Sequence, residues 1–300
     1  MTMASTFAPV AIYAGRRARE VLGLFKLRIG FFIMVTALVG LMVTPGPGLS
    51  LLQVMVLALS VLLASASAGA FNQYAEADTD RLMARTSNRP FATGALARRP
   101  AWLLLMALML AVAVLAAGWM LNAMSALYVF LGAFFYGVVY TLWLKRRSWL
   151  NIVIGGLAGS FAVLAGAAAV NPAVGVHGWL LALALFLWTP PHFWSLAIAG
   201  RADYAAAGVP MLPVVVGDQR AAQVVYASAV ALALASLLPI LFGAGWVYLA
   251  GALGGGLYFV YKARALASAP SRATAIASFL ASLVQLGALL AAASLDGALR

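Results

Sequence analysis

The chain has 300 residues, of which 65% are apolar and 9% charged, with a formal net charge of +12 and no cysteine. That much hydrocarbon exceeds what a soluble domain of this size can enclose, and without cysteine there is no disulfide, thiolate metal site or cysteine nucleophile. The positive charge sits in short clusters between apolar runs, a pattern of membrane topology and not of a nucleic-acid surface, so no nucleic acid partner is expected.

Taken in chain order, residues 1–25 read as a cytoplasmic N-terminal segment without the compact pattern of a cleaved signal peptide, and 26–300 as a single transmembrane domain. Apolar runs recur near 29–45, 51–73, 101–121, 123–143, 150–170, 177–198, 222–242, 245–262 and 274–293. Each approaches the roughly 20 residues that a helical span requires, the first and eighth being the shortest. They are continuous, not alternating, and a helix satisfies its own backbone in lipid. The predicted fold is therefore all-α, a polytopic membrane protein of about nine transmembrane helices enclosing a central cavity.

Charge orients these spans. Arg16, Arg17, Arg19, Lys26 and Arg28 precede the first; Arg81, Arg85, Arg89, Arg98 and Arg99 follow the second; Lys145, Arg146 and Arg147 follow the fourth. Arg201 and Arg220 follow the sixth, and Lys262, Arg264 and Arg272 accompany the eighth connection, whereas the odd-numbered connections have neither Lys nor Arg. The positive-inside rule then puts the N-terminus in the cytoplasm and the C-terminus, with Arg300, outside a cell inner (plasma) membrane. Gly155 with Gly159, and Gly251 with Gly255, are small-residue pairs suited to close helix approach.

Acids entering an apolar helix are costly and usually mark a site. At the end of the second span, Asn72, Glu76 and Asp80 recur at i, i+4 and i+8, so on a helix they line one face as a cradle of oxygen donors for a hard divalent cation. The bland alternative is that these acids neutralise the arginines behind them. Asp78 lies off that face and is suited to pairing with Arg81 or Arg85. Lys145, Arg146 and Arg147 anchor the fourth span, with charge to spare for an anionic group. In Trp188-Thr189-Pro190-Pro191-His192-Phe193-Trp194 the double proline is expected to break the sixth helix, as happens where a helix lines a cavity. His192 is then a candidate for proton transfer or cofactor contact, or equally a structural hydrogen bond. Asp203, after that span, is either a loop residue or a second acidic element.

The ordered set Asn72-x-x-x-Glu76-x-x-x-Asp80-Arg81-Leu82-Met83-x-Arg85-Thr86-x-x-Arg89-Pro90, Tyr140-Thr141, Lys145-Arg146, Asn151-Ile-Val-Ile-Gly155-Gly156, Thr189-Pro190-Pro191-His192-Phe193-Trp194 and Asp203-Tyr204-x-x-x-Gly208-Val209-Pro210-Met211-Leu212-Pro213 resembles the heme O synthase branch of the UbiA-like intramembrane prenyltransferases. The first acidic motif points to the superfamily; the Pro-Pro-His-Phe-Trp and Pro-Met-Leu-Pro segments point to the branch. Where the superfamily's first motif often reads Asn-Asp, this chain has Gln73, and four residues before Asp203 stands Ala199, not an acid. The usual Lys-Pro-Arg near the first span is Lys26-Leu27-Arg28, a change expected to affect helix entry more than chemistry.

The resemblance implies transfer of a farnesyl group from farnesyl diphosphate to a vinyl carbon of heme b, with water added at the neighbouring carbon. It implies Mg²⁺ as cofactor on Asn72, Glu76, Asp80 and Asp203, and diphosphate contacts from Arg85, Arg89, Lys145, Arg146 and Arg201. The porphyrin is assigned to His192, Trp194 and Tyr204. Membrane lipid surrounds the enzyme, and a heme A synthase or oxidase assembly proteins are the expected downstream partners. A prenyltransferase for another flat acceptor, such as 4-hydroxybenzoate or a chlorophyll precursor, shares the metal motif. A transporter would use the acids and the broken helix as a substrate path.

Overall fold

The computed structural model describes residues 20–299 and, among them, contains helices and connecting turns but no strand. Arg16, Arg17, Arg19 and Arg300, which contribute to the expected orientation, lie outside the described residues, as does most of the 1–25 segment.

Nine long helical segments occur among the described residues: α1 (Leu27–Met42), α2 (Leu51–Ala75), α3 (Pro100–Met120), α4 (Ala123–Leu144), α5 (Asn151–Val170), α6 (Val176–Ala199), α7 (Asp218–Phe242), α8 (Trp246–Ser268) and α9 (Arg272–Ala298). Their starts follow local chemistry. Ser50 and Gln53 form a capping box on α2, Ser271 and Thr274 do the same on α9, Asn122 caps α4, and Pro100 opens α3 where no N–H is needed.

Seven of these, all but α1 and α8, are long and apolar enough to cross a membrane. The molecule is thus a multi-pass membrane protein, and the nine-span reading rests on the two shortest predicted runs. With 16 residues α1 extends about 24 Å, short of a hydrocarbon core of about 30 Å. Segment α8 has 23 residues, but Lys262 and Arg264 occupy its last turns.

Consecutive helices pack side by side, and α9 returns to α1, closing a ring in which α5 also lies against α1 and α6 against α9. The interior is lined by small residues, as in α5, where Ala162, Ala165, Ala167, Ala168 and Ala169 are buried. Apolar burial gains little against lipid tails, so close van der Waals contact between small residues supplies the association energy. Conversely, Leu104, Leu108, Leu115 and Trp119 stand exposed along one stripe of α3, a lipid-facing surface. A methyl on Gly251 would meet the Ala292 side chain at 2.3 Å, and one on Gly255 would meet Gln285 Cα at 3.1 Å, so this pair does bring α8 against α9. Gly159 has nothing within 4 Å of its missing side chain; its expected partner Gly155 packs on the Tyr140 ring instead.

The double proline does not break α6. The helix runs without interruption from Val176 to Ala199, with Pro190 and Pro191 inside it. Proline's fixed φ suits a helix, and its cost is the missing ladder bonds. Nearby hydroxyls bind the helix carbonyls: Thr189 Oγ1 donates to Leu185 O at 2.9 Å and Ser195 Oγ to Pro191 O at 2.7 Å.

Candidate active site

Helix α2 ends at Ala75, and Glu76 interrupts the helical path with φ −101° and ψ 8° before the short helix Ala77–Asp80. The i to i+4 ladder nevertheless continues, Glu76 N to Asn72 O at 3.0 Å and Asp80 N to Glu76 O at 2.8 Å. Asn72, Glu76 and Asp80 therefore keep one side of the chain, although not the single straight helix face that their spacing predicts. All three are buried. Asp78, off that side, is exposed and pairs with Arg98 at 2.9 Å and with Arg81 at 3.6 Å.

Each buried donor has a cation beside it. Lys145 Nζ lies 2.6 Å from Glu76 Oε2, which also accepts from Asn72 Nδ2 at 2.7 Å. Arg89 donates to both oxygens of Asp80, at 3.0 and 2.8 Å. Lys26 Nζ donates to Asn72 Oδ1 at 2.8 Å and to Tyr136 Oη at 3.2 Å. Burying charge is tolerable only when it is paired and hydrogen-bonded in this way. Of the carboxylate oxygens of Glu76 and Asp80, Glu76 Oε1 is the one enclosed without a hydrogen-bond partner among the described residues.

Lys26, which the sequence reading used only for membrane orientation, belongs to this cluster. The residue adopts a left-handed backbone, φ 46° and ψ 42°, at a cost of about 1–2 kcal/mol for an L-residue, and its side chain reaches the cluster. Burial, reinforced by the Arg89 charge, pushes the ammonium down to about 7 despite the opposing pull of Glu76 and Asp80. The sequence cues were a basic residue immediately before the first span and its place in the Lys-x-Arg pattern.

The second half of α4, Phe135–Leu144, is a π-helix. Lys145 N bonds to Tyr140 O, and Thr141 Oγ1 donates to Tyr136 O at 2.7 Å, both across five residues. The wider turn brings Tyr136, Tyr140, Thr141 and Lys145 to the cluster together: Asn72 Nδ2 reaches Thr141 Oγ1 at 3.1 Å, and Lys145 Nζ lies 5.7 Å from the Tyr140 ring centre. Segments of this kind recur at functional sites, and apolar periodicity gives no warning of them.

The remaining residues come from the loops. Arg146 donates to Thr79 Oγ1. Arg85 N bonds to Asp203 Oδ2 at 3.4 Å, and Arg85 Nη2 reaches Tyr204 Oη at the same distance. Tyr204 is thereby held beside Arg85, and burial raises its hydroxyl above the usual phenol range, with the Arg85 charge opposing. Arg201 is turned away: its exposed guanidinium pairs with Asp218 at 3.4 Å. Gln73 likewise points elsewhere, donating to Gly23 O and Leu24 O at 3.0 and 3.1 Å.

The three residues expected at the porphyrin are not brought together. His192 lies in the seam between α6 and α9, stacked on Trp188 and Phe279. Trp194, two positions on and so turned to the opposite side of α6, leans on Trp149 with its Nε1 enclosed and without a hydrogen-bond partner among the described residues. Tyr204 belongs to the Arg85 cluster.

Fold and site together define a multi-pass membrane enzyme with a charged centre at one end of a helical bundle. The chain belongs to the UbiA prenyltransferase family, whose model matches residues 33–284. It is 54% identical over 272 residues to a protein of Paramagnetospirillum magneticum named protoheme IX farnesyltransferase 2, covering 91% of this chain and 94% of that one. Among solved structures, a digeranylgeranylglyceryl phosphate synthase superposes with a TM-score of 0.79 at 17% identity, covering 95% of this chain and all of the other. A UbiA homologue of Archaeoglobus fulgidus bound to GPP and Mg²⁺ superposes with a TM-score of 0.72 at 19% identity, covering 92% and 99%. At these identities the two structures establish the fold.

Proposed function

We propose that this chain joins the farnesyl group of farnesyl diphosphate to a vinyl carbon of heme b and adds water at the neighbouring carbon, giving heme O and diphosphate. The observation that carries the reading is the 54% identity, over 91% of the chain, to a protein named for this activity.

The barrier is cleavage of the allylic C–O bond as diphosphate departs with negative charge. Lys26, Arg85, Arg89 and Lys145 are assigned to that leaving group, because fixed cations in a dry site stabilise charge that develops in the transition state. Arg146, tied to Thr79, supports the same side. Arg201 is not retained, since Asp218 neutralises it. Tyr204 moves from the porphyrin to the diphosphate side by virtue of its Arg85 contacts.

Asn72, Glu76, Asp80 and Asp203 would supply hard-oxygen donors for Mg²⁺, the enclosed Glu76 Oε1 being the one without a hydrogen-bond partner. No group of three or more His, Cys, Asp or Glu able to hold a metal by itself occurs among the described residues, so the ion would need substrate oxygens to complete its ligands. When bound, Mg²⁺ would supply Lewis acidity toward the diphosphate. The solved relative bound to GPP and Mg²⁺ supports Mg²⁺ as the cofactor.

The surrounding apolar helices suit a farnesyl chain and keep stray water from the allylic cation. The catalytic domain is assigned to 26–300 in the inner membrane, with the site at the cytoplasmic ends of α2 and α4 and the C-terminus outside. Incubating purified protein with farnesyl diphosphate, Mg²⁺ and heme b should yield a heme heavier by one farnesyl group and one hydroxyl. Unmodified heme, with turnover of a different flat acceptor, would refute the reading.

A further inference from the structure

The seam between α6 and α9 fixes the protonation of a buried imidazole. His192 Nδ1 lies 2.7 Å from Ser282 Oγ, and the same hydroxyl donates to Phe279 O at 2.6 Å. A serine hydroxyl has one hydrogen, and a carbonyl oxygen can only accept. With that hydrogen committed to Phe279, Ser282 offers His192 a lone pair, so Nδ1 carries the imidazole proton and Nε2 is left with its lone pair free.

The ring is also clamped. Trp188 stacks on one face at 4.0 Å and 20°, Phe279 lies against the ring at 4.5 Å and 29°, and Phe193 meets it edge-on at 4.9 Å. Trp188 is fastened in turn, its Nε1 donating to Ser282 O at 2.7 Å. Nε2 has no hydrogen-bond partner among the described residues, and it is not one of the fully enclosed polar atoms; the residue keeps 6% of its surface exposed. An imidazole whose Nδ1–H is held by an acceptor while Nε2 presents a lone pair is the arrangement found at metal-bound histidines.

The geometry points to His192 Nε2 as an axial ligand of the iron of the acceptor heme, with Ser282 as the positioning residue that sets its tautomer. The inference rests on heme b being the acceptor, as proposed above. A coordinate bond from a clamped ring would fix the porphyrin centre and plane, leaving its edge free to present a vinyl group. From His192 to Ala199, where α6 ends, the helix rises about 10 Å, so the iron would lie deeper in the bundle than the diphosphate cluster.

The chain has only two histidines, His177 and His192, which makes the test decisive. Full-length protein without a polyhistidine tag is loaded with heme b in nanodiscs, reduced, and examined by resonance Raman for the iron–imidazole stretch. That band should be present in the parent and in His177→Gln, absent in His192→Gly, and restored to His192→Gly by added imidazole. Ser282→Ala should retain heme and shift the band to lower frequency, because Nδ1–H loses its acceptor, an effect that a purely packing role for His192 would not produce. Retained binding of a farnesyl diphosphate analogue reports that each variant is folded. An unchanged band in His192→Gly and Ser282→Ala, or heme bound to the parent without such a band, overturns the ligation while leaving heme as acceptor intact. A parent that binds no heme overturns both.

Discussion

Lys145 and Glu76 illustrate how single residues divide their work in this site. Their contact of 2.6 Å is almost fully buried, so each charge is tolerable because of the other. Glu76 has a second oxygen to spare, and Asp80, locked to Arg89, is the next acid along the same side. Glu76→Ala and Asp80→Ala should each abolish heme farnesylation in protein that remains helical. Asp78→Ala should retain most turnover, since its exposed pairs with Arg81 and Arg98 are each worth under about 1 kcal/mol. Equal losses at all three positions in a turnover assay would remove the basis for a one-sided cradle. Lys26 supplies a charge-assisted contact that the sequence did not assign to the site. Lys26→Met should weaken binding of a non-hydrolysable farnesyl diphosphate analogue ten- to a hundredfold, about 1.5–3 kcal/mol, with heme binding little changed. Titration calorimetry with each ligand separately would measure this.

At the scale of elements, the π-helix Phe135–Leu144 decides which side chains reach the site. One extra residue per turn is what lets Tyr136, Tyr140, Thr141 and Lys145 converge. Deleting Val139 should restore ordinary α register and swing Lys145 by about 100° relative to α4's first half. The expected outcome is loss of turnover and of analogue binding with helical circular dichroism unchanged; a fully active deletion variant would show that the π register is dispensable. The elements were unequally legible in the sequence. Apolar runs located the long helices because lipid selects for continuous hydrophobicity. Pro190 and Pro191 predicted a break that did not occur, because whether lost ladder bonds break a helix depends on its neighbours, and α6 is packed between α5, α7 and α9. The π register was invisible, since it changes hydrogen-bond spacing without changing composition.

For the whole molecule, every residue of the charged cluster comes from one end of the bundle, from the segments before α1 and after α2, α4 and α6. These are also the connections that hold the basic residues, so orientation and site placement stand or fall together. Reporter tags after Arg99 or Arg147 should read as cytoplasmic, and tags near Pro47 or Asn171 as external. An external signal from the 81–99 connection would reverse both.

By itself, the sequence determined the membrane environment, the helical class, the family motifs and the acidic residues at the end of α2, because these depend on composition and on spacings of a few residues along one chain segment. Only the tertiary structure decided which charges meet. It drew Lys26 in, sent Arg201 to Asp218, moved Tyr204 beside Arg85, turned Gln73 toward backbone carbonyls and set His192 against Ser282. Those outcomes depend on which helices pack and in what rotation, a matter of contacts between residues up to 119 positions apart that no local spacing encodes.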